Sequence, residues 1–101
     1  MTPRIRFRHW LFRLPGMMDA IVLYPYILFR GNSTTPQLYR HELEHFYQVQ
    51  RDGFLRFYIR WLWLTFRRGY WNNPYEIEAR AAESIDLTPQ ELVWLHVQKA
   101  K

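Results

Sequence analysis

Apolar and polar residues alternate strictly over Arg4–Arg8 (RIRFR), the period of a half-buried strand. The run onward to Leu14 fits a basic amphipathic turn of helix equally well, and Pro15-Gly16 ends it. Ala20–Arg30 (AIVLYPYILFR) is rich in β-branched and aromatic residues and predicts strand. Pro25 in its middle has no N–H to give a ladder, so the run is either an edge strand or two short strands. GNSTTP reads as a loop, with Thr35 as N-cap and Pro36 at the first position of a helix. That helix runs to about Asp52, where Gly53 stops it.

Phe54–Arg68 predicts a second helix, apolar nearly all round. At about 100° per residue, Arg56, Arg60, Trp63 and Arg67 fall on one stripe of it. GYWNNP is a turn, after which Asn73 caps a third helix from Pro74 to about Ile85. Thr88-Pro89-Gln90-Glu91 has the spacing of a capping box and opens a fourth. No repeat or low-complexity segment interrupts the chain. The pattern predicts one mainly helical α+β domain over residues 1–101, a small N-terminal sheet or hairpin followed by about four helices.

Composition sharpens this picture. With 49% hydrophobic and 19% aromatic residues, the 101-residue chain is far too apolar to be disordered, and its large aromatics supply core area that a short chain otherwise lacks. There is no cysteine, so any metal must be held by histidines and carboxylates. No window of 18 uncharged apolar residues and no signal-peptide core are visible, and a cytoplasmic location is the expectation. The net charge of +5 is unevenly placed: Met1–Arg68 holds eleven Lys and Arg against four acids, Gly69–Lys101 three against five. Such an excess can attract nucleic acid, an anionic membrane or an acidic protein, and does not choose among them.

The stretch YRHELEHFYQ (Tyr39–Gln48) carries the candidate chemistry. His41 and His45 are one helical turn apart and leave the same face, as two ligands of one metal must. Glu42 lies about 100° round from His41, able to reach a water on the metal without being a ligand. Glu44 points elsewhere and is read as solvated. The competing reading is a solvated helix in which these residues fall in this order by chance. The preceding strand and loop, the sharp stop at Gly53 and the glutamates further on favour a metal site.

His41-Glu42-Leu43-Glu44-His45, with Gln48 just beyond and NPYEIEA (Asn73–Ala79) later, resembles the small zincin metallopeptidases of gluzincin type. The resemblance covers about Leu38–Glu83, and HExxH is its specific part. It implies Zn2+ held by His41, His45 and a downstream glutamate, Glu76, with Glu42 as general base and a peptide or protein as substrate. Two departures stand out. His45 and Glu76 are thirty-one residues apart, longer than in many such enzymes. Arg80 stands where an aspartate often orients a ligand histidine, so the acceptors that position His41 and His45 are unidentified, with Gln48 a partial candidate.

Glu76 has a second possible task. Asn73-Pro74-Tyr75-Glu76 is also a capping pattern, in which Glu76 would reach back to the Asn73 N–H and leave Glu78 as the ligand. Glu76 is preferred, because Ala79 three residues on would let its helix approach the histidine helix. His9 and His96 are isolated and read as structural. Tyr70 and Tyr75 could donate to a developing oxyanion, although packing is the simpler role for each.

The arginine stripe is read as the one solvated face of a buried helix, ahead of peripheral membrane contact or a grip on nucleic acid. The expected function is therefore zinc-dependent peptide-bond hydrolysis, with the Ala20–Arg30 edge aligning an extended substrate. Two alternatives are a catalytically silent binding or assembly module with a structural metal, and a basic adaptor for nucleic acid or membrane.

Overall fold

The structure, a computed structural model, describes residues 2–8 and 19–99. His9, the run onward to Leu14 and the Pro15-Gly16 stop lie outside the described residues. Three strands, β1 (Arg4–Arg6), β2 (Ala20–Leu23) and β3 (Tyr26–Phe29), precede four helices, α1 (Pro36–Asp52), α2 (Phe54–Arg68), α3 (Pro74–Ala82) and α4 (Pro89–Lys99). This is the mainly helical α+β arrangement that the sequence predicts.

Pro25 splits its apolar run rather than confining it to an edge. Tyr24 and Pro25 form a two-residue turn that sets Leu23 opposite Tyr26, so neither ladder needs the missing N–H. The sheet order is β1-β3-β2. The second half of the run is thus the central strand, paired antiparallel with β2 and parallel with β1.

One layer of core lies between sheet and α1. Ile5, Val22, Ile27 and Phe29 meet Tyr39, Leu43 and Phe46, which recur at helical spacing. Leu87, Trp94 and Leu95 close over this cluster from the α4 side. A second, smaller cluster joins Val49 of α1, Phe57 of α2 and Tyr75 of α3.

The caps form as their chemistry requires. The Thr35 hydroxyl accepts from the Leu38 N–H at 3.1 Å, with Pro36 at the first helical position. Gly53 ends α1 at φ +90, a left-handed value open to glycine, and α2 starts at the next residue in a new direction. Around α4 the box is reciprocal: the Thr88 N–H donates to Glu91 Oε1 at 2.8 Å and the Glu91 N–H to Thr88 Oγ1 at 3.2 Å.

Two expectations need correction. The third helix ends at Ala82 rather than near Ile85, because Glu83 N–H and Ile85 N–H bond three residues back, to Arg80 and Ala82, and tighten the last turn. The second helix is not buried outside its arginine stripe. Phe57 alone among its described residues is fully buried, while Leu55, Ile59, Leu62 and Phe66 are 58–83% exposed. Only the side carrying Phe57, Tyr58, Trp61 and Leu64 is packed. A chain this short has too little core to cover every apolar face.

Candidate metal centre

The α1 helix brings His41, Glu42 and His45 to a cleft of about 790 Å³, whose walls also include Val22, Trp61 and Tyr70. Every α1 member of the site is buried, His41 at 8% exposure, Glu42 at 5% and His45 at 7%. Their ligand atoms lie within 4.8 Å of one another, so this group could hold a metal ion. The HExxH stretch is therefore a buried cluster at a cleft, and the solvated-helix reading does not hold.

Glu76 enters from α3. Its Oε1 is 3.2 Å from His41 Nε2 and its Oε2 2.9 Å from His45 Nε2, so one carboxylate spans both rings. Ala79, with no exposed surface, lets α3 lie against α1 as its size suggests. Asn73 is the N-cap without help from Glu76: its Oδ1 accepts from the Tyr75 N–H at 2.9 Å, and its own N–H donates to the Tyr70 carbonyl. Glu78 lies outside the cluster, accepting from Gln48 Nε2 at 3.0 Å and Arg51 at 3.2 Å. Of the two glutamates, Glu76 therefore lies against both histidine rings and Glu78 does not.

The far side of each ring is held as well. Gln48 Nε2 donates to the Tyr75 carbonyl and to Glu78, which turns its Oε1 to His45 Nδ1 at 2.8 Å. A carbonyl oxygen there requires Nδ1–H, leaving Nε2 directed at Glu76. For His41 the acceptor is Glu83, at 2.7 Å from Nδ1. Sequence reasoning missed Glu83, although it falls seven residues after Glu76, two helical turns along the same face.

Charge within the cluster follows from these contacts. Burial opposes protonation of His41, but bonds to Glu76 and Glu83 outweigh it and bring its pKa up to about 9. His45 is raised too, burial again being overcome by Glu76, with Glu42 adding to it. Burial alone would raise Glu76, yet the two histidines and the Trp61 N–H hold it well below the usual carboxylate range. Glu42 moves the other way: burial pushes its pKa up against the pull of His45 and His41.

Of the remaining candidates, Tyr70 lines the cleft, and burial and the nearby Glu76 push its hydroxyl pKa up. Tyr75 does not face it, because its hydroxyl donates to Asp52 at 2.7 Å and its ring packs on Phe57. His96 is exposed on α4, away from the cluster. Glu44 pairs with Arg40 at 3.1 Å. Trp61 completes the inner wall by donating its indole N–H to Glu76 Oε2 at 2.8 Å. No known family model, curated protein or solved structure matches this chain, so what can be said of the site rests on its own geometry: a buried His-Glu-His group able to take a metal ion, faced by a second glutamate.

Proposed function

We propose that this protein is a zinc-dependent hydrolase of peptide bonds, of the zincin kind. The observation that carries the reading is the Glu76 carboxylate lying between the two Nε2 atoms with Glu42 beside them. A donor set of two imidazoles, a carboxylate and no thiolate suits zinc. Tetrahedral zinc with bonds of about 2.0–2.1 Å separates its ligand atoms by roughly 3.3 Å. The separations of 3.2 and 2.9 Å need little adjustment to meet that.

His41, His45 and Glu76 are the ligands in this reading, and Gln48 and Glu83 position the two rings. When bound, zinc polarises a carbonyl and lowers the pKa of a water towards 7. Glu42, its carboxylate 3.9 Å from His41 Nε2 and its proton affinity raised by burial, takes the proton of the attacking water and returns it to the leaving amine. Tyr70 supplies a neutral donor on the cleft wall for the charge that develops on the carbonyl oxygen.

The β2 strand is a sheet edge and lines the cleft, which suits an extended peptide added alongside it. Its free length is short. The Tyr58 hydroxyl already donates to the Val22 carbonyl at 2.7 Å and accepts from the Tyr24 N–H at 3.2 Å.

The test compares wild type and Glu42→Gln, both zinc-loaded, on a mixed peptide library. Each should carry about one zinc per chain, since His41, His45 and Glu76 form one site. Hydrolysis by the variant should fall by at least ~10²–10⁴, the usual cost of losing a general base. Equal background rates with zinc in both would leave a metal-stabilised binding module. Absence of zinc from the wild type would end the proposal.

A further inference from the structure

The exposed side of α2 carries more than arginines. At about 100° per residue, Leu55, Ile59, Leu62 and Phe66 fall within an arc of about 60°. Their exposures are 70, 58, 63 and 83%, so this is a continuous apolar band open to solvent. Arg56, Arg60 and Arg67 run beside it, and Trp63, 57% exposed, lies on the boundary. The Arg67 guanidinium sits 5.7 Å from the Trp63 ring, and that ring stacks on Phe66. The helix contains no acidic residue.

We infer that α2 seats the protein on an anionic lipid bilayer, its apolar band entering the acyl boundary and its arginines meeting the headgroups. The division into one apolar face and one cationic face, with tryptophan and arginine at the junction, is the pattern of a helix lying in a membrane interface. Among the described residues no helix is long and apolar enough to cross a membrane, and this contact needs none.

Charge decides against the other occupants. Two α2 helices packed about a twofold axis would bring arginine bands together with no acid of α2 to offset them. A nucleic acid would satisfy the arginines but leave the apolar band against phosphates and water. An anionic bilayer satisfies both bands at once.

The placement also bears on the cleft. Leu62 belongs to the band and lines the cleft, as does Leu23 at 41% exposure. The opposite side of α2 is fixed to the site by the Trp61 bond to Glu76 and to the hairpin by Tyr58. A bilayer under α2 would therefore lie at the cleft mouth. Membrane seating does not depend on turnover.

The experiment is sedimentation of the zinc-loaded protein with vesicles of phosphatidylcholine alone or mixed with phosphatidylglycerol. Wild type should pellet with the mixed vesicles, less with the neutral ones, and less again as salt is raised. Replacing Leu55, Ile59 and Phe66 by Ser should weaken vesicle partitioning at least tenfold with unchanged circular dichroism, because these side chains are exposed. Replacing Arg56, Arg60 and Arg67 by Gln should remove the preference for phosphatidylglycerol, about fivefold per arginine. Wild type left in the supernatant with every vesicle would overturn the inference. So would equal pelleting by the Ser variant, a wild-type dimer that the Ser variant turns into monomer without vesicle binding, or salt-sensitive binding confined to duplex DNA. Zinc content measured on the same samples keeps failure of this inference apart from failure of the metal site.

Discussion

The amide of Gln48 has three partners and therefore one orientation. Donation to the Tyr75 carbonyl and Glu78 points its oxygen at His45, which keeps a proton on that ring's Nδ1 and leaves Nε2 towards Glu76. Glu83 performs the same service for His41, with a charge added. Under the proposed function, Glu83→Ala should lower zinc affinity about 10–100-fold, the usual cost of losing such an acceptor. Glu83→Gln, which keeps an acceptor oxygen, should recover most of it. Competition against a chromophoric chelator measures both, and equal affinity in Glu83→Ala and wild type would remove Glu83 from this role. The clustering of His41, Glu42 and His45 was legible because HExxH spacing puts them on one stretch of helix, whereas Glu76 was singled out over Glu78 only through Ala79 three residues on. Glu83 was not legible, because its meaning depends on how α3 crosses α1, and a local pattern carries no crossing angle.

Elements bounded by local caps were the most legible. Thr35, Gly53 and the Thr88–Glu91 box each act on backbone groups within a few residues, so sequence alone locates them. The burial of α2 was not legible, since periodicity reports which residues could be buried and not whether a neighbouring layer exists to bury them. The docking of α4 shows how a cap can do a second job. Glu91, 4% exposed, also accepts from the Tyr47 hydroxyl and lies 3.6 Å from Nη1 of the buried Arg40, whose Nε and Nη1 make no hydrogen bond among the described residues. Glu91→Gln should keep the cap yet leave Arg40 with Glu44 as its acidic partner, a loss of about 1–3 kcal/mol, below the full cost of orphaning a buried charge. Burial raises the Glu91 pKa, but bonds from Tyr47 and Thr88 and the charge of Arg40 bring it below the ordinary value. A depressed pKa means its contribution is complete above about pH 4.3 and is lost as the pH falls through the folded value. The stability difference between wild type and Glu91→Gln in urea should therefore narrow below about pH 4. A gap that stays constant through acid would show that the Glu91 charge is not what holds α4 down.

At the scale of the molecule, the question is what the metal site contributes to a chain whose core is barely large enough. The site's own groups already pair with one another. His41, with its pKa near 9, is cationic at neutral pH, that of His45 is raised as well, and both rings face Glu76, whose carboxyl is held well below the usual carboxylate range. These contacts tie α1 to α3, so under the proposed function the chain is expected to fold before it meets metal. A chelator should then leave the far-ultraviolet circular dichroism at 25 °C nearly unchanged, in contrast to small metal domains that unfold outright. Under the proposed function stability should still fall on chelation, because zinc would bind the folded site and not the unfolded chain. At free zinc a thousandfold above Kd the difference is about 4 kcal/mol. For a domain of this size, each kcal/mol moves Tm by about 4–8 °C, so the chelated protein should melt roughly 15 °C or more below the zinc-loaded one. His41→Ala and His45→Ala should each abolish that difference. Because the ion pairs go with the histidines, both variants should also melt below the chelated wild type. A wild-type Tm indifferent to chelator would mean that Glu76 and the two histidines form a structural ion-pair network, with no metal in it.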